Sequence, residues 1–314
     1  MRIGIIGAGG ISDTHVRAAR SIDGVRVVAV YGANAQRTRL LADSADAAAY
    51  ADFDAFLAHP MDMVAIGSPS GLHADQAMAA ARRGLHVLVE KPLDISTAKV
   101  DSLLSEATRA DVRVGVFFQD RMQPDVVALK RRLDAGEIGT PLFAQGQVRW
   151  YRPPEYYGGS RWRGTWALDG GGALMNQGIH TVDLLLWLVG PIARVTGRTA
   201  TRLHEIEVED TAIALLEFAN GALGTIEATT AAFPGFPRRV EITGTQGTLV
   251  YEDAPRPAVV GDATPHRRVL EDFIDAVRNG RRPACDGLEG RQSVAVVEAI
   301  YRSATSGHSE EPRR

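Results

Sequence analysis

An amide, an imidazole and a carboxylate, Asn176, His180 and Asp183, stand four and three residues apart in the stretch Asp169 to Trp187, DGGGALMNQGIHTVDLLLW. An imidazole beside a carboxylate can move a proton near neutral pH. The same pair also serves a structural histidine that donates to Asp183 three residues on, and the short pattern alone does not choose between them. The element that must carry the trio is a helix. Met175, Ile179, Val182, Leu186 and Val189 recur at helical steps, a stripe that packs on a core, and the polar trio follows one residue later, about 100° around the helix. Ahead of it, Gly170 to Gly172 take every β-carbon out of a turn, which predicts close approach of another segment or a ligand.

A second loop with chemistry opens the chain. Arg2 to Ile6 (RIGII) is a β-branched run leading into Gly7-Ala8-Gly9-Gly10-Ile11-Ser12, then helical spacing to Ile22 and another apolar run at Val25 to Tyr31. Strand, glycine turn, helix and strand make the βαβ unit that binds dinucleotides. Gly7 allows the tight turn, Gly9 lets backbone amides approach a pyrophosphate, and Gly10 and Ile11 begin a helix whose N-terminus supplies partial positive charge. Ser12 replaces the third small residue of that pattern. The carboxylate that would take both ribose hydroxyls of NAD is missing at the end of the second strand, where Gly32, Ala33 and Asn34 stand. Arg37 and Arg39 either meet a 2′-phosphate or are solvated helix residues, so NAD and NADP both stay open.

Alternation continues with helix Asp52 to Ala58, strand Met61 to Ile66, helix Gly71 to Arg83, strand Leu85 to Val89, helix Ser96 to Ala110 and strand Val112 to Phe117. This predicts an α/β Rossmann domain, a doubly wound parallel sheet over residues 1–119, with ligands at the carboxyl ends of its strands. Two segments leave that edge: Ser68-Pro69-Ser70-Gly71-Leu72-His73 and Glu90-Lys91-Pro92. Taken singly they are a turn with a Ser cap and an exposed lysine.

Together, however, the phrase GSPSGLHADQAMAAARRGLHVLVEKPL (Gly67 to Leu93) resembles the sugar-dehydrogenase superfamily of glucose-fructose oxidoreductase and inositol 2-dehydrogenase, the Gfo/Idh/MocA type. The GGGALMNQGIH run is similar to its second signature, with Asn176 in place of the usual Asp; this run and Trp-Arg-Gly-Thr-Trp also resemble members acting on nucleotide-linked sugar acids. The resemblance spans about residues 1 to 305 and implies roles, position by position. Lys91 would lie between nicotinamide and substrate, His180 would be the acid/base group, and Asp183 would hold it. Asn176 would orient substrate or water but exchange no proton. Ser68, Pro69, His73 and Glu90 would surround the nicotinamide, with Trp162 and Arg163 beside the cofactor. Lys91 and His180 are then expected to meet at a domain cleft, the ammonium favouring a neutral imidazole and donating to the developing oxyanion.

From residue 120 the pattern changes. After a linking helix, Asp120 to Asp134, come strand-like runs at Pro141 to Tyr151, Ile192 to Thr201, Asp210 to Phe218, Ala222 to Ala231 and Val240 to Tyr251, with a hairpin signal at Asn220-Gly221. They predict an α+β domain over 120–305 with a largely antiparallel open sheet, closed by helices at Leu270 to Arg278 and Ser293 to Tyr301. One sheet face takes the His180 helix; an apolar second face would be covered in a homodimer or homotetramer. Arg152 to Trp166 (RPPEYYGGSRWRGTW) reads as a substrate loop pairing with anionic groups through Arg161 or Arg163, or as an ordered surface loop. Residues 306–314 are expected to fray.

Composition bounds the rest. The 314 residues, 45% hydrophobic and 23% charged with net charge −3, describe an ordinary globular protein with no pull toward nucleic acid or an anionic membrane. No apolar run is long enough to span a bilayer, and no secretion signal is recognised. The single cysteine, Cys285, excludes an intrachain disulfide and fits a reducing cytoplasm; histidine spacing suggests no metal. The expected activity is NAD(P)-dependent hydride transfer at a ring hydroxyl of a sugar, polyol or nucleotide sugar. Competing readings are a sugar sensor without turnover and a reductase of non-sugar carbonyls.

Overall fold

The computed structural model describes residues 1–253 and 262–313. Residues 254–261 and Arg314, which belong to the expected second domain and tail, lie outside the described residues.

The chain divides into two compact units, the first built from 1–94, 98–119 and 262–290, the second from 95–97, 120–253 and 291–313. In the first, six strands form one parallel sheet: β1 (Arg2–Ile6), β2 (Arg26–Tyr31), β3 (Ala48–Tyr50), β4 (Met63–Ile66), β5 (His86–Val89) and β6 (Val114–Val116), in the order β3-β2-β1-β4-β5-β6. That order reverses direction beside β1, which places a crevice at the carboxyl ends of β1 and β4. Strands β1, β4 and β5 are apolar and buried because helices cover both faces of such a sheet. The short β3 was not anticipated: Ala48–Tyr50 is too brief to show a period.

One expectation is corrected in this unit. The closing helix read from sequence at Leu270 to Arg278 and placed in the second domain spans Thr264–Arg278 and lies in the first unit. Its buried face of Val269, Leu270, Phe273, Ile274 and Ala276 would suit either sheet, but His266 and Phe273 reach His15 of the helix Gly10–Arg20 and Gly115 of β6. Amphipathic spacing says that a face is buried, not against what. The long helix Gly287–Ser306 starts in the first unit and ends in the second.

The second unit carries a six-stranded sheet of β7 (Pro141–Arg149), β8 (Ile192–Ala200), β9 (Thr211–Phe218), β10 (Leu223–Thr229), β11 (Arg239–Gly244) and β12 (Thr248–Glu252), ordered β12-β11-β7-β10-β9-β8. All neighbours are antiparallel except β7 and β10. The hairpin at Asn220-Gly221 joins β9 to β10, with Gly221 at φ +89° and Asn220 Oδ1 accepting from Ala222 N at 3.0 Å. Val240 to Tyr251, expected as one strand, is two, folded back through Gly244 to Gly247.

The helix of the catalytic candidates also differs from expectation. Ala173–Gly178 is a π-helical turn and only Ile179–Val189 is α-helical. Nearly every side of it is buried, with Leu185 and Leu188 inside and Leu186 half-buried, so the apolar stripe inferred from spacing is too narrow. Within residues 306–313, Glu310 exchanges backbone hydrogen bonds of 2.8 and 2.9 Å with Val195.

Candidate active site

At the carboxyl edge of β1, Gly7 turns the chain at φ +112° and its amide donates to Tyr31 O of β2 at 2.8 Å. The helix Gly10–Arg20 begins immediately after, with Gly9 as its cap residue and no side chain closing its first amides. A β-carbon at Gly9 or Gly10 would meet nothing within 4 Å, so this end is open. Uncapped amides with the dipole's positive end behind them fit a dinucleotide's diphosphate. Ile11 stands half-buried beside Gly67, and Ser12 is fully buried beneath.

The missing ribose carboxylate has a steric cause. A β-carbon at Gly32 would lie 2.6 Å from Thr38 Oγ1 and 2.9 Å from the Ala8 methyl, so a side chain there would require Thr38 or Ala8 to shift. Asn34 caps the helix Ala35–Ser44, its Oδ1 accepting from Arg37 N at 2.9 Å. The Arg37 side chain is exposed.

The loops after β4 and β5 are fastened together. His73 is 1% exposed, its Nδ1 2.8 Å from Pro92 O and its Nε2 2.9 Å from Ser68 O. Ser68 Oγ lies 2.5 Å from Gln76 Oε1, and Pro69 precedes a short 3-10 turn. Glu90 is also buried: Oε1 is 3.0 Å from His15 Nε2 and 3.3 Å from His266 Nε2, and Oε2 accepts from Lys91 N at 3.2 Å. His73 and Glu90, both expected around the nicotinamide, are thus held by partners within the first unit, and Lys91, which follows Glu90, is half-buried. Burial pushes the Glu90 carboxyl up, but hydrogen bonds from His15 and His266 outweigh it and hold the group well below the usual carboxylate range. Burial lowers His15 despite its carboxylate partner.

His15, Glu90 and His266 offer three donor atoms within 4.8 Å of one another, a grouping that sequence spacing could not show. The Nδ1 atoms of both histidines are buried without hydrogen-bond partners. A metal bound at Nε2 would make both of them buried N–H donors with nothing to receive them, against the usual second shell of a metal-bound histidine. With Nε2 carrying the proton toward Glu90, they are merely idle acceptors. We read the cluster as a carboxylate clamp.

In the second unit the candidate helix is fixed from its N-terminus. Glu209, 3% exposed, accepts from Gly172 N at 2.9 Å, Leu174 N at 2.8 Å and Tyr301 Oη at 2.9 Å. A β-carbon at residue 172 would fall 1.7 Å from Glu209 O, so the triple glycine is there for close backbone approach. Burial raises the Glu209 carboxyl against these hydrogen bonds. The π turn that follows places Asn176 against Asp169: Asn176 Nδ2 donates to Asp169 Oδ1 at 2.5 Å, and Asp169 Oδ2 accepts from Gly164 N at 2.9 Å. Such turns widen a helix and recur at functional sites.

One turn on, His180 Nδ1 is 3.5 Å from Asp120 Oδ2. Asp120 is also paired with Arg238, which is fully buried and reaches Asp253 Oδ2 at 2.8 Å. Asp183, expected to hold His180, takes Arg121 in a two-pronged bridge of 2.8 and 2.6 Å. Arg121 stacks over Trp187 at 5.5 Å. Sequence reading missed Asp120, Arg121, Asp169, Glu209 and Arg238; their one local sign is the acidic-basic pair Asp120-Arg121 at the domain boundary.

The loop Arg152 to Trp166 is ordered and includes the short helix Pro154–Gly158. Arg163 lies 4.5 Å over the Tyr156 ring and 5.3 Å over half-buried Trp162. Arg161 is exposed.

Residues 1–118 match the model of the oxidoreductase family with an NAD-binding Rossmann fold. Residues 126–250 match the GFO/IDH/MocA C-terminal domain and 258–311 the family's C-terminal alpha/beta domain. Among curated proteins, the chain is 29% identical to inositol 2-dehydrogenase 2 of Saccharopolyspora erythraea, covering 98% of this chain and 94% of that one. It is 26% identical to myo-inositol 2-dehydrogenase of Thermotoga maritima, covering 96% of each. Among solved structures, the WlbA dehydrogenase from Bordetella pertussis in complex with NADH and UDP-GlcNAcA superposes with a TM-score of 0.93 at 32% identity, over 100% of this chain and 98% of that one.

Proposed function

Since the chain belongs to the Gfo/Idh/MocA oxidoreductase family, with an NAD-binding Rossmann domain, we propose that it transfers hydride between nicotinamide and a ring hydroxyl or ketone of a sugar, polyol or nucleotide sugar, with Lys91 and His180 as its catalytic pair. Bound nicotinamide would accept the hydride; the chain's residues handle the proton and the charge. In the oxidative direction the hydroxyl proton passes to His180 as the C–H pair leaves, and Lys91 stabilises the oxygen while the carbonyl forms. The observation carrying this reading is the buried contact of His180 Nδ1 with Asp120, 3.5 Å apart. It supports a reading in which Nδ1 faces the carboxylate and Nε2 serves the substrate hydroxyl. Asn176, tied to Asp169, orients the ring. Gly7, Gly9, Gly10 and Ile11 hold the diphosphate, Asn34 and Arg37 border the adenosine side, and Ser68 and Pro69 line the nicotinamide end with Trp162 and Arg163 contributing from the substrate loop.

The sheet of the second unit supports a homo-oligomer. Its outward row includes Phe143, Ile213, Leu215 and Leu223, between 38% and 61% exposed, alternating with buried residues along β9. Apolar side chains gathered on one open face are what a second copy of this chain would cover. No helix among the described residues is long and apolar enough to cross a membrane.

The test is reduced-nicotinamide absorbance over a panel of inositols, neutral hexoses, uronic acids, nucleotide sugars and small ketones. Turnover confined to ring compounds supports the reading. Tight sugar binding without turnover would make the protein a sensor, and activity on small ketones alone would make it a reductase of another class.

A further inference from the structure

Resting on the proposed roles of His180 and of the loop 152–166, we infer that two adjacent carboxylates, Glu209 and Asp210, are positioning residues of the reaction. Glu209 sets the turn that bears Asn176 and leads to His180, and Asp210 sets the substrate loop. Both stand in the connection between β8 and β9, inside the second unit, and both are buried, at 3% and 0% exposure. A helix begins with four amides that have no acceptor of their own. Here the amides of residues 172–175 are all taken from outside the turn. Glu209 accepts from Gly172 N with Oε2 at 2.9 Å, from Ala173 N with its backbone oxygen at 3.0 Å and from Leu174 N with Oε1 at 2.8 Å. Tyr301 Oη accepts from Met175 N at 3.3 Å and donates to Glu209 Oε1 at 2.9 Å. Asn176 N then bonds inside the turn, to Gly172 O at 3.0 Å. One carboxylate and its phenol partner therefore anchor the whole start of the π turn.

Asp210 serves the other side of the same connection. Its Oδ2 accepts from the amides of Arg202, Leu203 and His204 at 2.9, 2.7 and 3.1 Å, and its backbone oxygen accepts from Thr230 N at 2.9 Å. The turn so formed seats His204, whose ring lies 4.8 Å from that of Tyr157 in the helix Pro154–Gly158. His204 Nε2 is 3.3 Å from Thr230 O, and Tyr157 Oη is 2.9 Å from Thr230 Oγ1. Glu207 holds the far end of the same loop, its N donating to Gly164 O at 2.9 Å and its Oε2 accepting from Trp166 N at 3.0 Å. Loop and catalytic turn are thus set by neighbouring residues of one connection. A shift of about 1 Å in a reacting group costs about 100-fold in rate, so the setting matters to turnover.

Acceptor geometry tells the two carboxylates apart. Glu209 turns both oxygens toward backbone amides, so a glutamine points an amino group at an N–H whichever way it lies. Asp210 gives its three amides a single oxygen, while Oδ1 faces Thr211 Oγ1 at 3.0 Å, a hydroxyl able to accept from an amino group. Asparagine preserves that arrangement, and alanine does not.

The experiment compares Glu209→Gln, Asp210→Ala and Asp210→Asn with the native protein by steady-state kinetics on the best substrate of the panel and by backbone hydrogen exchange, with NADH-binding stoichiometry counting folded sites. Glu209→Gln should speed exchange at residues 172–175 and lower kcat per folded site about 10- to 100-fold, with KM within about threefold of native. Asp210→Ala should speed exchange at residues 202–204 and raise KM about 10-fold with kcat little changed, and Asp210→Asn should restore native KM. Where either disruptive variant does not fold, Tyr301→Phe and His204→Ala are read in their place, the first lowering kcat and the second raising KM, each by about 3- to 10-fold. Native kinetics per folded site, or kcat and KM moving together in both variants, would leave the carboxylates purely structural and overturn the inference. Failure of Asp210→Asn to restore KM would overturn it too. Native turnover in a His180→Asn control would remove the acid/base reading on which the inference rests; the two anchors then stand or fall on the exchange pattern.

Discussion

The Nδ2 of Asn176 donates to Oδ1 of Asp169 across 2.5 Å, at the position where the family resemblance leads one to expect an aspartate. The amide is the only form of that pair that needs no extra proton, because a carboxylate at 176 would face another at bonding distance. Asn176→Asp should therefore lower kcat rather than improve it, by about 10-fold or more, the two acids being forced to share a proton. Steady-state rates across pH check this; a faster variant at neutral pH would refute the account of Asn176.

Asp120 Oδ2 lies 3.5 Å from His180 Nδ1, and Asp120 pairs in turn with Arg238, which also pairs with Asp253. Asp120→Asn should reduce kcat by about 10- to 100-fold with KM for the sugar nearly unchanged, since the ring loses its orientation but the substrate keeps its contacts. An equal rise in KM with kcat intact would assign Asp120 to substrate binding instead.

Acid should weaken the first unit through its buried clamp. Glu90 and His15 both titrate below their ordinary values in the folded state. Such groups contribute stability that is present above their unfolded values, about 6.5 for His and about 4.3 for Glu. That contribution is lost as pH falls through the folded values. Melting temperature should drop as pH falls below about 6.5 through His15 and further below about 4.3 through Glu90, and Glu90→Gln should flatten the second part of that decline. A variant that keeps the native slope would show that other groups set the acid limit.

Leu215→Lys, on the outward face of β9, should shift the protein toward monomer in light scattering after size exclusion while leaving the fold intact. A lysine there would have to be desolvated at an interface. An unchanged mass would place any subunit contact elsewhere.

The first unit was legible because its information is local. Strand, glycine turn and helix at Arg2 to Arg20 each have a short-range cause, and so does the hairpin at Asn220-Gly221. His180 and Lys91 stood out through spacing and resemblance. What stayed hidden was partnership over distance. Spacing singled out Asp183 beside His180 but gave no sign of Arg121, 62 residues away, as a partner of that carboxylate. Glu209 caps the π turn from 35 residues downstream of Leu174, and Glu90 meets His15 from 75 residues away. A helical period likewise announced that Thr264–Arg278 buries one face without naming the sheet beneath it.

The central claim is that Lys91 takes part in hydride transfer rather than only in binding dinucleotide. Lys91→Ala, loaded with oxidised cofactor and mixed with the best substrate of the panel, should show a single-turnover rate of nicotinamide reduction about 100-fold or more below native. Its NADH dissociation constant should stay within about threefold of native, because the proposed diphosphate site is at Gly9 and Gly10. A single-turnover rate equal to native would contradict the account.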